Sequence, residues 1–391
     1  MRMMRLILLL AVSTFVAAQS PAQSPWQMQD SGTTAGLRGI YSVDGTIAWA
    51  SGTNGTVLKT IDGGAHWTAC AIPDADKDGA TLDFRGVQAW DAQTAIVMAS
   101  GPGEKSRLYK TTDGCKKWKL VFRNTDKEGF WDAVQITSPK TALLIGDPLP
   151  KVEFSHLRVK KYFHFPLYGT IDSGITWTRL DSNNLFAFSD ESGKPTKSIF
   201  AASNSSLLET AHHNLILFVS GGKIASLNLL EFIDQPIPLI SKSSSSMTGG
   251  TNVPLKSGPT AGAFSVAVKD GDSINPTLVV VGGDYSNPEN RDGTAAVCAH
   301  ELKDHPRFMT FFKCEASTIP PHGFRSAVQW SEALKLWITV GTNGSDVSRD
   351  DGKTWQPLDN GNWNALSLPF VVGPNGRIAR LNPAALSASK N

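Results

Sequence analysis

Short apolar runs that end in glycine recur along the chain, each followed by a tight polar turn and a further strand-like run. Leu215-Ile216-Leu217-Phe218-Val219 leads into Ser220-Gly221-Gly222-Lys223, and Leu278-Val279-Val280-Val281 leads into Gly282-Gly283-Asp284. Runs this short, rich in aliphatic residues and bounded by Gly, predict strands buried on both faces. The turn recurs at Ser51–Gly55, Ser100–Gly103, Ile145–Pro148, Val340–Gly344 and Val372–Gly376, which makes seven turns in all. Gly and Asn in these turns supply the positive φ that two-strand connections require. No helical periodicity separates the units, which run roughly over 37–72, 82–124, 129–182, 196–235, 258–318, 322–360 and 362–381.

A second pattern, hydroxyl-x-Asp-x-Gly-x-x-Trp, falls late in four of these units. It reads Thr60 to Trp67, Thr111 to Trp118, Thr170 to Trp177 and Ser348 to Trp355, with one lapse, Cys115 at the Gly position. The Asp carboxylate is expected to accept backbone N–H groups two or three residues on, folding an Asx-type turn. The Trp then starts the next strand as a large apolar plate against a neighbouring sheet. Asp62, Asp113, Asp172 and Asp350, with Trp67, Trp118, Trp177 and Trp355, therefore read as architecture rather than chemistry.

Seven four-stranded units predict an all-β fold, a seven-bladed β-propeller. The seventh unit has three strands only. Its missing strand is expected from Pro25-Trp26-Gln27-Met28-Gln29-Asp30-Ser31-Gly32, which resembles Thr354-Trp355-Gln356-Pro357-Leu358-Asp359-Asn360-Gly361. A strand donated from the N-terminus would close the ring and cover two open edges. Residues 19–391 then form a single domain. Unit three carries an insertion, Leu149 to Leu167, with Lys151, His156, Arg158, Lys160, Lys161 and His164 among aromatic residues. It reads as an extended hairpin with a solvated basic edge, or as a partner-docking flap.

The first residues change the picture of where the chain works. Arg2 and Arg5 precede an apolar run, Leu6 to Val12, and small residues follow at Val16 and Ala18. This is the pattern of a secretory signal peptide over residues 1–18, and it predicts export to a periplasm or beyond the cell. No later stretch is long and apolar enough to span a bilayer. Of 37 basic and 35 acidic residues, Arg2 and Arg5 would leave with the leader, so the mature chain carries 35 of each. A neutral protein exerts no overall pull on nucleic acid or anionic lipid. Of the four cysteines, Cys298 and Cys314 suit a bridge between adjacent strands and Cys70 with Cys115 is geometrically possible; free thiols are the alternative.

Candidate chemistry is confined to one face. The start of strand one and the end of strand two of each unit share a face, and the Asp turns lie on the other. Alignment of the strand-one starts puts Arg38, Arg85 and Arg325 in equivalent slots, with Trp131, Ser265 and Asn364 in the same slot elsewhere. Asp147, Lys223, Asp284, Tyr285 and Asn343 fall in turns on that face, with His322 beside Arg325. Three arginines at the channel mouth suit carboxylate, phosphate or a partner's acidic side chains. Alternatively, each pairs with an Asp of a neighbouring unit and holds the ring together. No metal-ligand spacing, nucleophile elbow, Walker loop or dinucleotide fingerprint occurs, so no cofactor and no metal are expected. Asp132, Asp147 and Asp284 are the inner-face carboxylates that a glycan hydrolase would need in facing pairs.

The Asp-turn pattern resembles the Asp-box, or BNR, repeat of sialidases and related propellers. The run from Leu37-Arg38-Gly39-Ile40 through Gly52-Thr53-Asn54-Gly55 to Asp62-Gly63-Gly64 and Trp67 is most similar to the photosystem II stability and assembly factor family. It looks especially like exported bacterial members outside photosynthesis, some of which carry an oxidoreductase label for which these residues give no basis. The resemblance implies a seven-bladed propeller that binds a protein partner during assembly, with Arg38, Arg85 and Arg325 as its basic patch; the chain is further expected to be non-enzymatic and a monomer. A sialidase would have a Phe-Arg-Ile-Pro motif and six blades, and neither is read here.

Overall fold

The computed structural model describes residues 24–387 apart from 156–157, 181–184, 211–214, 232–249, 270–275 and 302–310. The predicted leader and His156 lie outside the described residues. Among them the chain forms seven four-stranded antiparallel units, of which the fourth and fifth are joined into one larger sheet by pairing of Leu215–Gly222 with Gly258–Lys269. Blade I is Leu37–Ser42, Ala48–Gly52, Val57–Thr60 and Thr68–Ala69, and blade II runs from Phe84–Ala89 to Lys119–Arg123 in the same order. The innermost strands contact one another in sequence around the hub, and the last, Ala365–Ser367, returns to the first, Leu37–Ser42. The second strands of blades I, II, III and VI are buried along their whole length, as their apolar runs require.

The ring closes with a strand from the N-terminus. Trp26–Gln29 pairs antiparallel with Ile378–Leu381, Trp26 opposite Leu381. Trp26 packs against Trp363 at 6.0 Å and donates its indole N–H to Ser345 Oγ in the preceding blade.

The four Asp turns are built alike. Thr60 Oγ1 donates to Asp62 Oδ1 and accepts from Gly64 N, and Asp62 Oδ1 accepts from His66 N. Thr111, Thr170 and Ser348 repeat the pattern. The Asp reaches the N–H four residues on, at His66, Lys117, Thr176 and Thr354, rather than two or three as expected; Asp172 also takes Ile175, three on. Two consecutive residues in each turn take positive φ, so the carboxylate must span a longer loop. Cys115 adopts φ 71° in a glycine's place and is bonded to Cys70, and Cys298 is bonded to Cys314.

A cation from one blade clamps the Asp turn of the next. Lys59 donates to Gly114 O, Lys110 to Ser173 O and Arg380 to Gly63 O, while Lys269 pairs with Asp351. The Trp of each motif fills the seam behind it: Trp67 meets Phe370, Trp118 meets Trp49, and Trp177 meets Phe122.

Two units depart from the expected boundaries. The insertion in blade III is a hairpin, Leu149–Ser155 with Arg158–His164, extended by Phe186–Ala187. The outer strand of blade IV is Thr251–Asn252, beyond position 235 where that unit was expected to end. The inner strand of blade IV is only Leu207–Glu209. The chain before it, Phe200 to Ser206, crosses the hub instead. Ser203 Oγ donates to Ser326 O, Asn204 Nδ2 to Val134 O, and Ser205 Oγ to Ser265 Oγ, so three other blades hold it. The small side chains of Ala201-Ala202-Ser203-Asn204-Ser205-Ser206 suit a narrow channel.

Candidate functional site: a blind pocket at the hub

The inner strands enter the ring through a shared irregularity. In blade I, Leu37 opposes Gly52 and Gly39 opposes Ser51, so Arg38 is bulged out toward the hub. Blade II repeats this with Arg85, blade III with Asp132 and blade V with Phe264. In blade VI, Ala327 opposes Val340 and Ser326 N donates to Val340 O, so Ser326 takes the bulge slot and Arg325 lies one residue earlier. Asn364 fills the slot in blade VII, as expected.

This register corrects the expected gathering of three arginines. Arg325 occupies the slot of Leu37, Phe84 and Trp131, which points into the seam between blades, and it is fully buried. Its Nε donates to Asp346 Oδ2 at 2.7 Å, a second bond runs from Nη2 to the same carboxylate, and Nη1 donates to Asn343 Oδ1 and Phe324 O. His322 Nδ1 lies 2.9 Å from Asp346 Oδ1. Burial pushes the Asp346 carboxyl up, but the hydrogen bond from His322 and the charge of Arg325 outweigh it and hold the group ionised below its ordinary range. Arg325, His322 and Asn343 are thus one buried ion network that locks blade VI.

Other expected site residues are also placed apart. Trp131 is fully buried and stacks on Phe122 at 5.1 Å. Lys223 pairs with Asp190 at 3.0 Å. Asp284 Oδ1 accepts from Thr260 Oγ1 and from Ser286 N within its own turn, and those bonds to Ser286 and Thr260 lower its pKa. Asp147 Oδ1 accepts Ile199 N at 3.0 Å, and burial raises its carboxyl to about 6. Asp132 is 1% exposed, with Oδ2 unpartnered among the described residues. Burial first and the neighbouring Asp147 second push its carboxyl well up, toward the neutral form, while Arg85 opposes them.

Arg38 and Arg85 do meet, around Asp83. Arg85 Nε donates to Asp83 Oδ2 at 2.9 Å and Arg38 Nε lies 3.6 Å from Asp83 Oδ1. Arg85 Nη1 also donates to Ala201 O, on the chain that crosses the hub. The side chains of Arg38 and Arg85 are 37% and 31% exposed, and both line a cavity of about 440 Å³. Ala201 and Ala202 line it from the crossing chain, with Ser326, Thr342 and Asn364 on further walls. Phe200, Phe264, Tyr285 and Phe324 line it too. Two guanidinium groups share one carboxylate, so among the described residues the mouth has spare donors, including both terminal nitrogens of Arg38. The sequence reading missed Asp83, Phe264, Ser326 and Thr342. In blades I, III and V the glycine that ends the second strand opposes the residue before the bulge, a signal that could have fixed the slot there.

The fold and site define a closed propeller whose hub is plugged and opens on one face as a basic, aromatic-lined pocket. No protein-family model matches the chain. It resembles the photosystem II assembly factors: it is 28% identical over 129 residues to the photosystem II assembly lipoprotein Ycf48 of Synechococcus sp. (strain CC9902), a match over 32% of this chain and 36% of that relative's length. Among solved structures, Ycf48 from Cyanidioschyzon merolae superposes with a TM-score of 0.56 at 17% identity, covering 92% of this chain and 100% of the other. A Ycf48 bound to D1 peptide superposes with a TM-score of 0.55 at 14% identity, covering 92% and 97%. At these identities the structural likeness bears on the fold.

Proposed function

We propose that this chain is an exported, non-enzymatic propeller that captures a protein partner through the hub mouth, in the manner of an assembly or stability factor. The observation that carries it is the pair Arg38 and Arg85, partly exposed in a walled pocket and sharing a single acidic residue. Such a pair attracts a carboxylate-bearing partner, since guanidinium forks bind carboxylates bidentately. The bound D1 peptide of a Ycf48 with the same fold supports a polypeptide as partner. Export to a periplasm or beyond rests on the leader-like N-terminus. Against the hydrolase alternative, none of Asp132, Asp147 and Asp284 lines the hub cavity, and Asp132 is buried.

The test is affinity capture from the envelope fraction with the native protein and with the Arg38→Ala/Arg85→Ala double variant. The account expects a specific partner to be lost in the variant while the melting temperature holds. Undiminished capture by the folded variant would contradict it.

A further inference from the structure

The hub mouth holds an aromatic platform beside its two arginines. Phe200, on the crossing chain, stacks on Phe264 of blade V at 4.1 Å with planes 5° apart. Tyr285 stands edge-on to both, at 6.3 and 6.2 Å, and Phe324 meets Phe264 edge-on at 4.8 Å. Phe264 and Phe324 are almost wholly buried, so the group is rigid, yet Tyr285 is 48% exposed. Its position is set by the Asp284 turn immediately before it. A half-exposed ring backed by three fixed ones offers apolar contact area at low cost in side-chain order.

The pocket is also blind. Ala201 and Ala202 line it from the chain that crosses the hub, and a separate cavity of about 180 Å³ lies beyond them, lined by Ser203, Asn204 and Ser205. A ligand must therefore enter and leave by the same mouth. That admits a chain end or a tight loop apex and excludes a threaded strand. The spare donors of Arg38, and Thr342 Oγ1, which has no partner among the described residues, sit in the same pocket as the rings.

We propose that the occupant is a polypeptide end or loop apex that presents a carboxylate next to an aromatic or large aliphatic side chain. The carboxylate meets Arg38 and Arg85, and the apolar side chain lies on Tyr285. This rests on the reading that the mouth binds an acidic protein partner, and adds which acidic segments it prefers.

The probes are three peptide amides, each carrying a fluorescent dye on its N-terminus, Gly-Ser-Phe-Asp, Gly-Ser-Ala-Asp and Gly-Ser-Phe-Asn, titrated by fluorescence anisotropy. Gly-Ser-Phe-Asp is expected to bind, with Gly-Ser-Ala-Asp weaker by on the order of tenfold, the scale of one good aromatic contact. Gly-Ser-Phe-Asn is expected not to bind. Tyr285→Ala, at a half-exposed position, should erase the difference between the two acidic peptides without lowering the melting temperature. Arg38→Ala/Arg85→Ala should remove both. Equal affinity of the two acidic peptides, both lost with the arginines, would overturn the aromatic preference and leave the acidic-partner reading standing. Binding that ignores the arginines, or that accepts Gly-Ser-Phe-Asn equally, would overturn both. No saturable binding by any peptide would overturn the proposal, while partner capture would still judge the broader reading.

Discussion

Replacing Arg325 with methionine should destabilise the protein sharply, although a basic residue at this end of the ring first reads as part of a binding patch. Arg325 and Asp346 are both fully buried. Deleting one member of a buried pair leaves the other charged and unpartnered, at a cost of about 3–5 kcal/mol. Unfolding entropy of roughly 2.1 cal/mol/K per residue, over 391 residues, gives about 0.8 kcal/mol/K. The melting temperature of Arg325→Met should therefore fall by about 4–6 °C by circular dichroism or calorimetry. Arg38→Ala and Arg85→Ala remove partly exposed groups, worth at most about 1 kcal/mol each, and together should shift it by no more than about 2–3 °C. The Arg325→Met/Asp346→Leu double variant should recover a large part of the loss, since apolar residues often replace a buried pair well. If Arg325→Met melts with the native protein, the assignment of Arg325 to the ring rather than the mouth is wrong.

Two further outcomes follow from other parts of the ring. Cys70–Cys115 spans 45 residues and Cys298–Cys314 spans 16, so loop-closure entropy makes the first worth about 4 kcal/mol and the second about 3. The Cys70→Ser/Cys115→Ser variant should accordingly melt below Cys298→Ser/Cys314→Ser, and the reverse order would count against the entropic argument. The Asp147 carboxyl, raised to about 6, binds more protons folded than unfolded between about pH 4 and 6. Its contribution to stability is fully present near pH 4 and is lost as pH rises through about 6, by on the order of 2–3 kcal/mol. Melting curves from pH 4 to 8 should show that loss in the native protein, and a flatter profile in Asp147→Asn. Identical profiles would mean that Asp147 is not held in a raised state.

Much of the ring is legible in the sequence. The Gly-ended second strands, the Asp turns and the resemblance of Trp26-Gln27 to Trp355-Gln356 are local, repeated patterns, and each corresponds to a real strand, turn or closing pair. The clamps between blades were legible in part, since Lys59 and Lys110 each precede the motif hydroxyl. The site was less legible because it depends on single-residue register. Phe324-Arg325-Ser326 imitates Phe84-Arg85-Gly86 in letters, but the bulge falls one residue later, and period-two geometry sends Arg325 to the opposite side. The crossing of Phe200–Ser206 could not be foreseen from periodicity, because the segment replaces an inner strand by side-chain hydrogen bonds to three other blades. The stacking of Phe200 on Phe264 and against Tyr285 exists only through that crossing.

The claim that the hub mouth is where a partner docks can be tested by site-specific photo-crosslinking in the native envelope. A benzophenone amino acid at Tyr285 reports on the mouth, and the same probe at Ile61, exposed in the Asp turn on the opposite face, reports on the other side of the ring. The account predicts one discrete crosslinked protein from position 285 that disappears with Arg38→Ala/Arg85→Ala, and none from position 61. A discrete product from position 61 alone would contradict it.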